Sequence, residues 1–284
     1  MQNTFVIPVV RDDLLARCLE TLYRHNPPTF YVFVVDQTGD GIATERLRRA
    51  YKNLLVLRTP RTDVHTTGNL GFAKAVNLAA ALVQTPFLTI CNDDVEFVHR
   101  NWWDAALDTF RAVERQTPDR PAAMVNPLSV KVPHWAMGRP PGQDHLVLPY
   151  RETYSDQDWE RLVGEVHRLP GGGAIQPSSH YDRVEMFCTV TSVAAFRQIG
   201  PLNERFYPGG GEDYEYCRRA AAHGFRCVTT SRSWVFHHWS RSRRIVDDPR
   251  RNRGLVDERL RWNNMGALWG RDPQQVPPAT IRPL

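Results

Sequence analysis

No apolar run in the chain approaches the ~20 residues needed to cross a membrane. The amino end, MQNTFVIPVV, has too short an apolar stretch and no basic flank for a leader peptide. These absences set the expectation of a cytoplasmic protein that meets membranes, if at all, at their surface. Cysteine is scarce. Cys18, Cys91, Cys188, Cys217 and Cys227 are odd in number and lack metal-binding spacing, which argues against a zinc ribbon or a disulfide framework. Buried free thiols in a reducing compartment are expected. Internal repeats and low-complexity blocks are also missing. The glycines form neither a Walker loop, since no GKS/T ending occurs, nor the G-x-G-x-x-G dinucleotide fingerprint.

What is present is ordinary in amount. The 284 residues are 42% hydrophobic and 24% charged, enough for one large soluble domain or two small ones. The net charge of +5 suits a phosphorylated or polyanionic ligand without identifying one. Much of the excess is crowded between Arg232 and Arg253.

Thr4–Val10 reads as a strand. Leu14, Leu15, Cys18, Leu19 and Leu22 then recur at helical spacing until Asn26-Pro27-Pro28. Phe30–Val35 is a continuous apolar run, as a covered parallel sheet requires. It is followed by a helix from Thr44 to Tyr51 and a strand at Leu54–Leu57. This alternation predicts an α/β fold with a mostly parallel sheet. Ligands of such sheets lie beyond the carboxyl ends of the strands. Asp36 stands at one such end, either as a contact to a ribose or base or as a turn former. Gly68–Asn77 opens a helix running to Val83, where glycines permit close backbone approach and the helix start favours anions.

The stretch Thr85–Glu96, TPFLTICNDDVE, organises the chain. Phe87–Cys91 reads as a buried strand ending abruptly in Asn92-Asp93-Asp94. Adjacent carboxylates there repel each other and lose solvation. A divalent cation bridging to phosphate oxygens would relieve this; an Asx turn or helix cap is the plainer alternative. A helix through Ala105 and Val113 follows, with Trp102 and Trp103 as packing residues, then a strand at Ala122–Asn126. Residues 128–182 are irregular, with a short helix near Asp156–Val163. Val184–Thr191 reads as another strand. Three glycines, Gly209–Gly211, precede Glu212-Asp213-Tyr214-Glu215 at the start of a helix ending near Gly224. Arg226–Thr230 and Ser233–His237 read as strands, the second ending in His237-His238. Strand alternation puts these two imidazoles on opposite faces.

A first strand ending near Pro8, a strand ending in Val35-Asp36, the N-x-G-F-A start at Asn69 and the NDD at residues 92–94 together resemble family 2 glycosyltransferases of the GT-A fold. The resemblance covers roughly residues 4–110 and resumes at 185–270. It implies a Rossmann-like three-layer α/β/α sandwich over residues 1–245. Within it, residues 1–127 would bind the donor, 128–183 would form an acceptor-side insertion, and 184–245 would complete the acceptor and catalytic half. Residues 246–284 would pack as a helix and extended tail.

The implied activity is metal-dependent transfer, with inversion, of a sugar from a nucleotide-diphosphate sugar to a hydroxyl. By analogy uridine is favoured over guanosine or thymidine, which makes a UDP-sugar the expected donor. Pro8, Val10, Asp36, Asn69, Gly71, Lys74, Asn92 and Asp93 would contact the nucleotide-sugar. Asp94 and His237 would hold Mn2+ or Mg2+, and Asp213 would be the general base. Glu212, Glu215 and Trp135 would face the acceptor, and Ser242 and Arg243 the diphosphate. Asn92 departs from the usual first acid of a D-x-D motif, and Gln37 from the usual Asp or Asn. The acceptor stays open among a glycan, a lipid-linked sugar and a nucleic acid. A nucleotidyltransferase or a non-catalytic binding protein on this fold remains the alternative.

Overall fold

In a computed structural model of the chain, the residues described are 1–10, 12–26, 29–38, 41–59, 69–98, 100–129, 157, 175–177 and 184–238. The β1 strand (Asn3–Val9) is buried throughout and lies between β2 (Phe30–Asp36) and β4 (Phe87–Cys91), parallel to both. With β3 (Leu54–Arg58) beyond β2, these strands build the parallel half of the sheet. The order across the sheet is β3-β2-β1-β4-β8-β6-β9-β5. Here β5 is Val95–Phe97, β6 is Ala122–Ser129, β8 is Cys188–Ser192 and β9 is Arg226–His237. A short β7 (Ile175–Pro177) pairs with β9. Strands β1 to β4, β6 and β9 run one way, and β5, β7 and β8 oppose them.

The strand alternation divides the core into two layers. Phe5, Ile7 and Val9 of β1 face α1 (Asp12–His25), α2 (Ile42–Ala50) and α4 (Trp102–Gln116), meeting Leu15, Leu19, Leu47, Trp102 and Val113. Val6 faces the opposite side. There Val35, Leu88 and Ile90 pack against α3 (Phe72–Ala80), α5 (Val193–Ile199) and α6 (Glu212–Ala222). Each large side chain fully buried in this way stabilises the fold by about 1.5–3 kcal/mol. Trp102 packs edge-on against Phe97, which places it in the core, as expected of it.

Several elements differ from the sequence reading. The α3 helix stops at Ala80, because Leu82 and Val83 donate to Ala79 and Ala80 in tight turn bonds instead of continuing the helical ladder. The β8 strand begins at Cys188, since Val184–Phe187 is taken up by a turn in which Phe187 N–H donates to the Glu185 carbonyl. The β5 and β7 strands, three residues each, were not anticipated. Arg226–His237 is one strand rather than two. Most of the expected 128–183 insertion, its helix near Asp156–Val163, and the tail from 246 lie outside the described residues. The cysteines expected to be buried free thiols are so, all five. No helix among the described residues is long and apolar enough to cross a membrane.

Candidate active site

The β4 strand delivers Asn92, Asp93 and Asp94 to the carboxyl edge of the sheet, and β9 delivers His237 to the same point. The pairing of Val95 with His237 brings the two segments together. Asp94 Oδ1 lies 3.1 Å from His237 Nε2, and Asn92 Nδ2 lies 3.2 Å from the same nitrogen. Phe187 stacks on the imidazole with ring centroids 4.9 Å apart, and it also accepts the Asn92 backbone N–H. Asp93 turns the other way, accepting the Val10 N–H at 3.2 Å. The ends of β1 and β4 are thereby tied together.

The convergence on His237 carries an internal conflict. An imidazole nitrogen bearing hydrogen can donate to Asp94 but cannot accept from Asn92; one bearing a lone pair accepts from Asn92 but repels the carboxylate. A cation held by Asp94 and His237 would remove the conflict. The Asn92 Oδ1 atom is buried without a hydrogen-bond partner, and turning the amide over presents it to the same place. No group of three or more His, Cys, Asp or Glu side chains among the described residues is arranged to hold a metal. Asp94 and His237 are the acid and imidazole that meet at this point, with Asn92 as an amide neighbour. Burial pushes the Asp94 carboxyl up, but His237 and then His238 outweigh it and leave the group below its ordinary range.

The two adjacent histidines separate as alternation requires. His238 Nε2 reaches Glu96 Oε1 at 2.5 Å, and Glu96 also pairs with Arg17 at 3.0 Å. The His238 backbone N–H donates to the Asp94 carbonyl. This second contact set fastens the β9 end that carries His237.

Asp36 is buried and engaged in its own turn. One carboxylate oxygen accepts from Thr38 N–H and Oγ1, the other from Thr44 Oγ1. Gln37 Oε1 accepts the Leu70 N–H at 2.7 Å, joining the β2 end to the glycine loop. In that loop Asn69 Oδ1 accepts from Gly71 N–H. Gly71 has φ 83°, and a Cβ there would meet the Tyr207 ring at 2.8 Å. Its side-chain space is thus taken by the protein itself, a reason for glycine not foreseen from the sequence. Pro8 is buried opposite Val35 in the β1–β2 ladder, and Lys74 is half-buried on α3.

The second acidic cluster opens α6, whose amino end follows Gly211 at φ 100°. Because α6 leads into the start of β9, this end lies at the same sheet edge as Asp94 and His237. Asp213 is half-buried in the first turn and accepts from Tyr214 N–H. Glu212 accepts from Gly210 N–H. Glu215, expected at the acceptor, is fully buried and paired with Arg219 Nε at 2.5 Å. Burial raises its carboxyl, with Arg219 opposing. Trp135, Ser242 and Arg243 lie outside the described residues. A cavity of about 350 Å³, lined by Asn3, Phe5, Phe30 and Trp102 among others, sits at the opposite, amino edge of the sheet. None of the described site residues lines it.

Comparison with known proteins bears on this arrangement. Three solved structures share the fold. The mannosyltransferase PcManGT from Pyrobaculum calidifontis, in complex with GDP-Man and Mn2+, is 15% identical over 83% of this chain and 56% of its own, with TM-score 0.52. S. aureus TarS 1-349 is 14% identical over 87% and 63%, with TM-score 0.53. GalNAc-T7 with UDP, GalNAc and Mn2+ is 13% identical over 83% and 43%, with TM-score 0.55. The chain thus spans less than two thirds of each. No curated protein matches. The model of Glycosyl transferase family 2 matches residues 4–117, the segment holding β1 through α4 and the Asn92-Asp93-Asp94 triplet. Over that segment the chain is similar to glycosyl transferase family 2, and it shares the GT-A fold of these structures.

Proposed function

We propose that this chain is an inverting, metal-assisted glycosyltransferase that moves a sugar from a nucleotide diphosphate to an acceptor hydroxyl. The carrying observation is the meeting of Asp94, His237 and Asn92 at one point on the carboxyl edge of the sheet, within reach of the family-matched donor half. A divalent cation bound there would neutralise charge growing on the departing diphosphate. Asp94 and His237 would hold it, and donor phosphates would complete its shell, as Mg2+-type sites commonly require. Asp93 fixes the Val10 end of β1 against this site. Asn69 and the Gln37–Leu70 contact shape the loop beside the nucleotide.

Asp213 takes the acceptor proton as that oxygen attacks the anomeric carbon from the face opposite the diphosphate. The start of α6 suits a carboxylate electrostatically. Glu212 serves this loop by holding Gly210. Similar structures contain GDP-Man, UDP-GlcNAc or UDP with GalNAc, so the donor is proposed as a nucleotide-diphosphate sugar, with UDP first among candidates.

The test is a panel of UDP-, GDP- and dTDP-sugars with Mn2+, read by mass spectrometry for hydrolysis and by titration for nucleotide binding. Mn2+-dependent binding of one nucleotide class is expected, and Asp94→Ala should weaken it. Binding that ignores both Mn2+ and Asp94→Ala would overturn the metal assignment.

A further inference from the structure

The segment leading into the base-bearing helix is tied to α3 by a side chain that the proposed chemistry does not use. Asn77, on α3, reads both backbone groups of Leu202. Its Nδ2 donates to the Leu202 carbonyl at 2.9 Å, and its Oδ1 accepts the Leu202 N–H at 2.9 Å. The same Nδ2 donates to Glu204 Oε1 at 3.0 Å. This is the two-point pairing that a neighbouring strand would supply, made by an amide side chain instead.

The contact continues directly to the start of α6. Arg219 donates to the Ile199 carbonyl at 2.9 Å and to the Pro201 carbonyl at 2.7 Å. With its remaining donors it grips both oxygens of Glu215, two residues past Asp213. At the other end of α3, Phe72 N–H donates to the Pro208 carbonyl at 2.8 Å, and the Tyr207 ring covers Gly71. Residues 203–211, which lead into Asp213, are therefore held against α3 at both ends. Helix α3 begins at the glycine loop that the proposed function sets beside the nucleotide.

We infer that Asn77 is a positioning residue that sets Asp213 in register with the donor-binding edge. The inference rests on the assignment of Asp213 as the base. Asn77 makes no contact with the Asp94–His237 site, so its loss should spare nucleotide binding. Misplacing a reacting group by ~1 Å can cost about 10²-fold in rate. A carboxylate at position 77 would keep one acceptor for Leu202 N–H but confront the Leu202 carbonyl and Glu204 with negative charge. Asn77→Asp should therefore be at least as damaging as Asn77→Ala.

Two measurements on the full chain decide this. The first is hydrolysis of UDP-glucose, UDP-GlcNAc and GDP-mannose with Mn2+, which uses water as acceptor. Asn77→Ala should lower kcat by about 10- to 100-fold while leaving the donor KM within about twofold. Unchanged kcat, or a matching rise in KM, overturns the inference. The second is amide hydrogen exchange without ligand. Faster exchange confined to residues 202–215 supports the clasp; unchanged exchange there, or acceleration spread over β1–β4, overturns it. Failure of the functional reading is separately visible. Wild-type protein would then hydrolyse no donor, or Asp213→Asn would hydrolyse it as wild type does, while the exchange measurement still tests the clasp.

Discussion

The two acidic clusters of this chain look alike on paper and behave differently in the fold. Asn92-Asp93-Asp94 ends a strand, so its side chains fan out at the sheet edge and meet whatever neighbouring strands bring. Asp94 meets His237 from β9, and Asp93 meets the β1 backbone. Glu212-Asp213-Tyr214-Glu215 begins a helix, so its acids point in divergent directions around the axis. Glu212 turns back to the glycine loop and Glu215 inward to Arg219. Of the three acids only Asp213 stays half-buried. A strand end gathers partners from far along the chain, whereas a helix start distributes its residues. One cluster therefore supplies an acid paired with a distant imidazole, and the other a single acid with two structural companions.

The sharpest way to break this contrast is to remove the acid assigned to chemistry. Asp213→Asn should cut transfer by about 10²–10⁴-fold, the contribution of a positioned general base, with nucleotide binding retained in a fluorescence or calorimetric titration. Full turnover by this variant would put Asp213 among the structural acids. Arg219→Met comes next. It leaves Glu215 buried without its cation, a change worth about 3–5 kcal/mol, visible as a lowered unfolding midpoint. The Glu215 carboxyl, raised by burial with Arg219 opposing, would then rise further. A folded-state pKa above the unfolded value costs stability as pH rises, so the Arg219→Met defect should shrink toward pH 5. Adding Glu215→Gln should recover part of it. A defect equal at pH 5 and pH 7 would argue against the buried pair.

The smallest expected effect concerns the contacts behind the first cluster. Burial pushes the Glu96 carboxyl up, but His238 and then Arg17 outweigh it and hold it below the ordinary carboxylate range. The folded state thus binds this proton less readily than the unfolded chain. Its stability contribution is present above about pH 4.5 and is lost as pH falls through the folded value. Glu96→Gln should flatten the acid limb of a melting-temperature profile, while the wild type falls more steeply. Parallel limbs in the two proteins would mean that Glu96 and His238 contribute nothing to the β9 anchor.

Much of the amino-terminal half could be read directly, because β1, α1, β2, α2 and β3 follow one another locally and each carries its own periodic apolar pattern. The opposite orientation of His237 and His238 also followed from strand alternation alone. The pairing of Glu215 was also open to reading, since Arg219 stands four residues on, the helical spacing at which acid and base meet. Tyr207 over Gly71 and Phe187 on His237 had no comparable signal. Both contacts join segments more than forty residues apart in a chain where no local pattern marks the meeting.

Periodicity, strand ends and turn residues were enough to specify a layered α/β sheet and to put acids at its carboxyl edge, since those features depend on neighbours within a few positions. Which acid would meet which partner was settled by packing. The Asp94–His237 contact exists because β5 pairs with β9, and the burial of Glu215 because α6 lies against α5. Such pairings depend on the register of distant strands and the seating of helices, and desolvation then forces each buried charge to find its counterpart.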